Sequence, residues 1–341
     1  MKKRFWGYLP LYMLAIQVSL GAAEYTGGKI KLVLHEDSGR FSLYAFSDRE
    51  RYEPLFVDQD PRTSFLTLLI DERAYKMGDA SSFRVRVGEN PGTPSLIFES
   101  SFLLATQAFD FIKTAGSSEI NGVKITIGIE NRSARQSEIG ARLVLDTSLG
   151  EDVSRPHFTT DSRGIGSETM TDKRSPDRWW ISRNNRLSLM GSIKDGNPDS
   201  LLFVNWKRIS EVPWKAGYLA GRNFSLPPYS LDDSAVCYYF EPLPLARGAA
   251  RTCSLMLALE DERGFLPPPP SGGPVFARIL NETDDLVETG DPSGMNGDQA
   301  LALLETLIGQ IDSRIQSGVI TDTEINIIEL IIERLKTQYG F

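Results

Sequence analysis

The organising pattern is the stretch from Ile139 to Asp152, where Ala141, Leu143 and Leu145 alternate with Arg142 and Val144 before the chain turns polar at Asp146-Thr147. Period-two alternation that ends in a Gly-containing loop predicts a sheet strand delivering Asp146 to a rim, with Arg142, Asp146, Thr147 and Gly150 as its structural motif. Short polar side chains at such a strand end are expected to bond loop backbone amides. The same pattern recurs on both sides. Lys29 to His35, with Ile30, Leu32 and Leu34 on one face, returns through Asp37-Ser38-Gly39 as Phe41 to Phe46, and Thr63 to Ile70 returns as Ala74 to Met77. Phe83 to Val87, Ser95 to Ser100, Leu103 to Lys113 and Val123 to Glu130 lead up to the central strand. Leu187 to Ile193, Leu201 to Trp206, Ser234 to Phe240 and Thr252 to Leu259 follow it. No long amphipathic helix interrupts the series between Glu24 and Glu260, so residues 24–266 read as an antiparallel β-sandwich.

The period then changes. Four prolines from Pro267 to Pro270, followed by Gly272 and Gly273, begin a Pro/Gly-rich acidic linker over 267–297. From Asp298 onward the spacing is helical: Leu301, Leu304, Ile308, Ile311 and Ile315 form one stripe, broken at Ser317-Gly318. Thr321 and Glu324 form a capping box for a second helix carrying Ile325, Ile327, Ile328, Leu330, Ile331, Ile332 and Leu335. So short a connection predicts an αα-hairpin over 298–341. Ile327, Leu330 and Ile331 fall off the main stripe, and one hairpin cannot bury them all against its own partner helix. Leu304, Ile308, Ile311, Ile327, Leu330 and Ile331 are therefore the expected partner-binding surface. From Val275 onward 12 Asp or Glu stand against 4 Lys or Arg, so a partner should offer a basic rim.

Charge and compartment change the picture only at the N-terminus. Lys2, Lys3 and Arg4 precede an apolar run from Phe5 to Leu20, and Gly21-Ala22-Ala23 supplies the small residues of a signal-peptidase site. Residues 1–23 read as a signal peptide, which makes the protein exported and periplasmic, with no transmembrane segment in the mature chain. Losing three positive charges takes the formal −8 to −11, which argues against nucleic acid as a partner. Cys237 and Cys253 lie on two runs that could face one another across a hairpin, as a disulfide or as two small buried hydrophobes.

Candidate chemistry is thin. Gly318, Ile320 and Glu324 sit where a calcium loop has its sixth, eighth and twelfth residues, yet Ser313, Ile315 and Ser317 occupy its ligand positions, so no metal is expected. No nucleophile motif, zinc motif or phosphate loop occurs, so no catalytic residue and no cofactor is assigned. His157, near Asp146, Glu151, Asp152 and Asp161, is a better acid–base candidate than His35, although the plainer reading is a solvated loop histidine. His157, Asp152 and Trp180 are the weak ligand-site candidates, Trp180 because an indole face can stack on a sugar. Core packing is its alternative.

The run ARLVLDTSLGED with Arg155-Pro156-His157-Phe158, then Asp233-Ser234-Ala235-Val236 and the strand Arg251 to Leu259, resembles bacterial envelope β-sandwich domains. That resemblance implies a fold similar to galactose mutarotase-like supersandwiches, with a departure at Val153-Ser154-Arg155. The stretches GRFSLYAFSD and YEPLFVDQDPRTSFLTLLIDERAYKMGD resemble spirochaete periplasmic proteins, some of them in the collar around the flagellar motor. The expected role is a non-enzymatic scaffold that binds other envelope proteins through the helical hairpin. A carbohydrate-binding or carbohydrate-processing protein is the alternative.

Overall fold

A computed structural model of the chain describes residues 17–19, 22–57, 59–90, 92–151 and 156–266. The leader up to residue 16, Asp152, the linker 267–297 and the hairpin 298–341 with its six proposed contact residues lie outside them.

β1 (Gln17–Ser19), β2 (Ala22–Gly27), β3 (Ile30–His35), β4 (Arg40–Phe46) and β5 (Tyr52–Pro54) form a five-stranded antiparallel sheet in chain order. Signal cleavage after Ala23 would fall inside β2 and leave the pairing of Glu24–Gly27 with Ile30–Val33 intact. A single 3-10 turn at Pro61–Thr63 leads to β6 (Phe65–Ile70) and β7 (Arg73–Lys76). A meander follows through β8 (Arg84–Val87), β9 (Ser95–Glu99), β10 (Leu103–Ile112) and β11 (Gly122–Asn131) to the central β12 (Ser137–Asp146). Next come β13 (Phe158–Thr160), β14 (Gly164–Ile165), β15 (Thr169–Asp172), β16 (Trp179–Arg183), β17 (Ser188–Ser192) and β18 (Ser200–Asn205). A short helix α1 (Trp206–Glu211) and a long loop precede β19 (Ser234–Leu245) and β20 (Ala250–Leu259).

Two further sheets result. One has nine strands in the order β14-β13-β16-β17-β20-β11-β10-β9-β8, the other six in the order β15-β18-β19-β12-β6-β7. The alternation in β12 explains how they pack. Ile139, Ala141, Leu143 and Leu145 point into the main core with Ile125 and Ile127 of β11 and Leu255 and Leu257 of β20. Val144 points the other way, into a second cluster with Leu202, Cys237 and Tyr239, roofed by Ile209 of α1 and by Trp206, Val212 and Trp214. β12 is thus buried on both faces, which makes its polar Arg142 a structural clamp. That guanidinium donates to the carbonyls of Val212 and Trp214 and to Thr67 Oγ1, so it anchors the roof to the sheet.

The expected cysteine hairpin is overturned. β19 belongs to the six-stranded sheet and β20 to the nine-stranded one, so Cys237 sits in the outer cluster, Cys253 in the main core, and both are free thiols. The cause lies at Gly140, where the β12–β19 register shifts opposite Glu241-Pro242. Proline cannot extend the ladder, and a bulge there re-aims the strand, so the chain crosses between sheets instead of turning back. Arg251 donates to the carbonyls of Ile139 and Glu241 and fastens the crossing.

Candidate functional site

The polar end of β12 gathers residues from four segments. The Asp146 amide donates to Ser64 Oγ at 2.9 Å, its carbonyl accepts from the Val57 amide at 3.1 Å, and Thr63 bonds its carboxyl. The acid that bonds a backbone amide is Glu151, whose Oε1 accepts from the Ser234 amide at 2.6 Å and from Ser234 Oγ at 3.2 Å. Thr147 is fully buried, and its Oγ1 finds no partner among the described residues. Among the described residues, then, Asp146 and Thr147 are not found bonding loop amides as expected: the Asp146 carboxyl is bonded by Thr63 instead, and Thr147 Oγ1 has no partner.

Asp233 completes the cluster. Oxygens of Asp146, Glu151 and Asp233 lie within 4.8 Å of one another, close enough to repel one another as anions or to hold a divalent cation. Burial is the main cause that pushes Glu151 up to about 8 and Asp146 up to about 7, with Asp233 adding repulsion to both. Asp233 is raised as well, again by burial, against a Ser230 hydrogen bond and the charge of Lys207. At neutral pH the cluster holds protons that ordinary carboxylates have lost.

His157 is not a solvated loop residue. It is 4% exposed, its ring packs edge to face on Phe224 at 4.8 Å, and a Cβ at Gly150 would collide with its carbonyl oxygen. Gly150 is required because the backbone of the acidic loop presses directly on that of His157. Trp180 is core. Its Nε1 donates to Tyr238 Oη at 2.7 Å, Tyr238 donates on to the Ser192 carbonyl at 2.9 Å, and Phe158 and Phe203 pack against the indole. Trp180→Phe should cost about 1–3 kcal/mol in urea unfolding, because it leaves the phenol with one fewer partner. A change below about 0.5 kcal/mol would refute the role of the bond. His35 shares a hydrogen bond with Ser42 at 3.0 Å and borders a polar cleft with Asp37, Asp60, Arg62 and Asp79.

The loop after α1 is held by groups that the sequence pattern does not single out. Asn205 caps α1 by accepting from the Arg208 amide, and its Nδ2 donates to the Phe224 and Asp233 carbonyls and to Ser230 Oγ. Glu168, whose side chain is 0% exposed, takes Arg208 Nη1 at 2.7 Å on one oxygen and Arg222 Nη2 at 2.6 Å on the other. Those guanidinium groups also donate to the carbonyls of Ser225, Asn223 and Gly217. An asparagine before a short amphipathic turn is a readable cap, but pairs separated by 40 and 54 positions leave no local signal. Clamped in this way, the segment exposes Leu219 (59%), Tyr229 (75%) and Leu231 (71%).

No protein-family model matches the chain, and no curated protein sequence matches it. Solved structures similar to it include galactose mutarotase-like proteins. A galactose mutarotase related enzyme from Lactobacillus acidophilus aligns at 7% identity and a TM-score of 0.46, covering 72% of this chain and 100% of that one. A galactose mutarotase-like protein from Lactobacillus casei aligns at 13% and 0.41, covering 70% and 100%. A GalM/aldose epimerase homologue from C. elegans aligns at 9% and 0.43, covering 68% and 96%. Among the described residues no helix is long and apolar enough to cross a membrane.

Proposed function

We propose that this chain is a non-enzymatic scaffold or binding protein of the cell envelope, exported to the periplasm and assembling with other envelope proteins. The observation that carries the reading is the loop after α1. A buried carboxylate, two guanidinium groups and a capping asparagine hold its backbone, while Leu219, Tyr229 and Leu231 face solvent. Fixing large apolar side chains in water lowers the entropy cost of docking and offers aromatic and aliphatic anchors. A periplasmic flagellar motor collar is the assembly we favour, with the hairpin 298–341 as a second contact through Leu304, Ile308, Ile311, Ile327, Leu330 and Ile331. The proposal needs export, so mass spectrometry of the mature chain should find it beginning at Glu24.

Pull-down from its own envelope tests the reading. Tyr229→Ser with Leu231→Ser, and separately truncation after Gly273, should each leave a folded sandwich and each release protein partners that the intact chain retains. Retention of every partner by both variants would overturn the scaffold role. A carbohydrate-binding role is the second reading, favoured by the cleft of about 550 Å³ bordered by His35, Asp37, Asp60, Arg62 and Asp79. Saturable glycan binding that Asp60→Ala abolishes would support it.

A further inference from the structure

We infer that the outer edge of β8 is a docking strand for an extended segment of a partner protein in which acidic and apolar residues alternate. β8 ends the nine-stranded sheet, paired to β9 on one side and to no described strand on the other. The Gly88 amide donates to the Ser95 carbonyl at 2.8 Å, which sets the phase of the ladder. Bonded and non-bonded pairs alternate between antiparallel strands, so the backbone groups of Arg84 and Arg86 face β9 while those of Val85 and Val87 point out of the sheet. Neither valine has an amide or carbonyl bonded to another described residue on that side. Other edges are tied off: the Lys76 carbonyl of β7 takes the amides of Asp79 and Ala80, the Asp172 carbonyl of β15 takes that of Ser175, and β5 ends in Pro54.

The two faces of β8 differ in kind. Val85 and Val87 pack against the main core, in line with Phe83, on which Tyr75 of the facing sheet stands edge to face at 5.6 Å. Side chains alternate along a strand, so Arg84 and Arg86 lie on the opposite, outer face. A strand laid beside β8 would continue both patterns. Its apolar residues would extend the core layer, and the residues between them would stand next to the guanidinium groups.

Charge selects the partner. Neither Arg84 nor Arg86 has an ion-pair partner among the described residues, and the carboxylate directly opposite Arg84, that of Glu99, is taken by Arg132 at 2.9 Å. An edge strand is a template for another chain, and cations along it turn away strands that carry bases. Having no acid of their own, the same cations favour a strand that sets carboxylates beside them. Strand addition then draws affinity from main-chain bonds at Val85 and Val87 and specificity from alternate side chains. This edge shares no residue with the loop of Tyr229 and Leu231, and its failure would leave the loop reading standing.

Fluorescence anisotropy with the full chain tests the inference, using a fluorescein-labelled decapeptide of alternating glutamate and valine. Saturable binding is expected, at least tenfold weaker for the same peptide N-methylated at every amide and for its lysine–valine counterpart. Hydrogen exchange of the Val85 and Val87 amides, read by NMR, should slow at least tenfold in the bound state. Arg84→Gln combined with Arg86→Gln should weaken binding several-fold, and Tyr229→Ser with Leu231→Ser should not change it. Equal binding of the N-methylated peptide would mean charge attraction without strand pairing and would overturn the assignment. So would an absence of saturable binding, or unchanged exchange at both valines. Because the peptide comparison and the exchange measurement use the unaltered protein, they decide the matter even if the double variant does not fold.

Discussion

Glu168→Ala is expected to lower the unfolding free energy by about 3–5 kcal/mol, the range for breaking a buried ion pair by removing one partner. The carboxylate is fully buried and meets two guanidinium groups, so its loss strands Arg208 and Arg222 without their common anion. It also accepts a long bond from the Leu219 amide, and its own backbone exchanges bonds with Arg222 and Gly221. The effect should therefore have two parts. Global stability falls, as a shifted urea midpoint at unchanged slope would show. Locally, trypsin should cut after Arg222 much faster than it does in the intact protein, because the guanidinium no longer ties that backbone down. Glu168→Gln keeps an acceptor but not the charge and should fall between the two. A loss below about 1 kcal/mol for the alanine variant would show that the pairs behave like surface pairs and that the loop is held by something else.

The second large effect is a stability that declines as the solution becomes more basic. Folded Glu151 at about 8 and folded Asp146 at about 7 bind protons more tightly than the same groups do in the unfolded chain, where carboxyls titrate near 4. Between roughly pH 4 and 8 the folded state thus holds more protons than the unfolded state, and stability drops through that window. At 1.36 kcal/mol per pH unit, the rise of Glu151 to about 8 alone corresponds to a loss of about 4–5 kcal/mol across that window, and Asp146 adds to it. Other groups titrate alongside. His35, lowered mainly by burial, works in the opposite direction below about pH 6.5. The measurement that isolates the cluster compares the protein with Glu151→Gln, which can still accept from the Ser234 amide. Moving from pH 5 to pH 8.5, the variant should gain about 2–4 kcal/mol relative to the unaltered chain, as read from urea midpoints. Parallel pH profiles would sink the reading. A calcium-dependent rise in melting temperature at pH 8.5, lost in the variant, would show instead that a cation neutralises the acids.

Much of the sandwich was legible locally. The stretch from Phe41 to Phe46 became β4, that from Leu103 to Lys113 became β10, and the central stretch became β12 with its two faces assigned correctly. Alternation reports which way side chains point, and burial of one set follows from that alone. The strands the pattern missed are short or polar. β13, β14 and β15 span three, two and four residues, too few for a period to register. Trp180 read as an indole for stacking or for core packing, and its strand became visible only as the neighbour of β17.

The candidate residues divide in the same way. Arg142 was placed on the right face of its strand, but its partners, the carbonyls of Val212 and Trp214, lie about seventy positions away. His157 and Trp180 offered ligand chemistry as isolated letters, and the fold turned both into packing. By itself, the order of residues determined the strand series, the facing of β12 and the polar rim at Asp146, because each is a property of a few neighbours along the chain. Only the tertiary structure decided that Cys237 and Cys253 belong to different sheets, that three acids meet at the rim, and that Glu168 clamps a loop built more than forty residues later. Those outcomes depend on which distant segments share one volume of low dielectric, and alternation along a single strand carries no record of that.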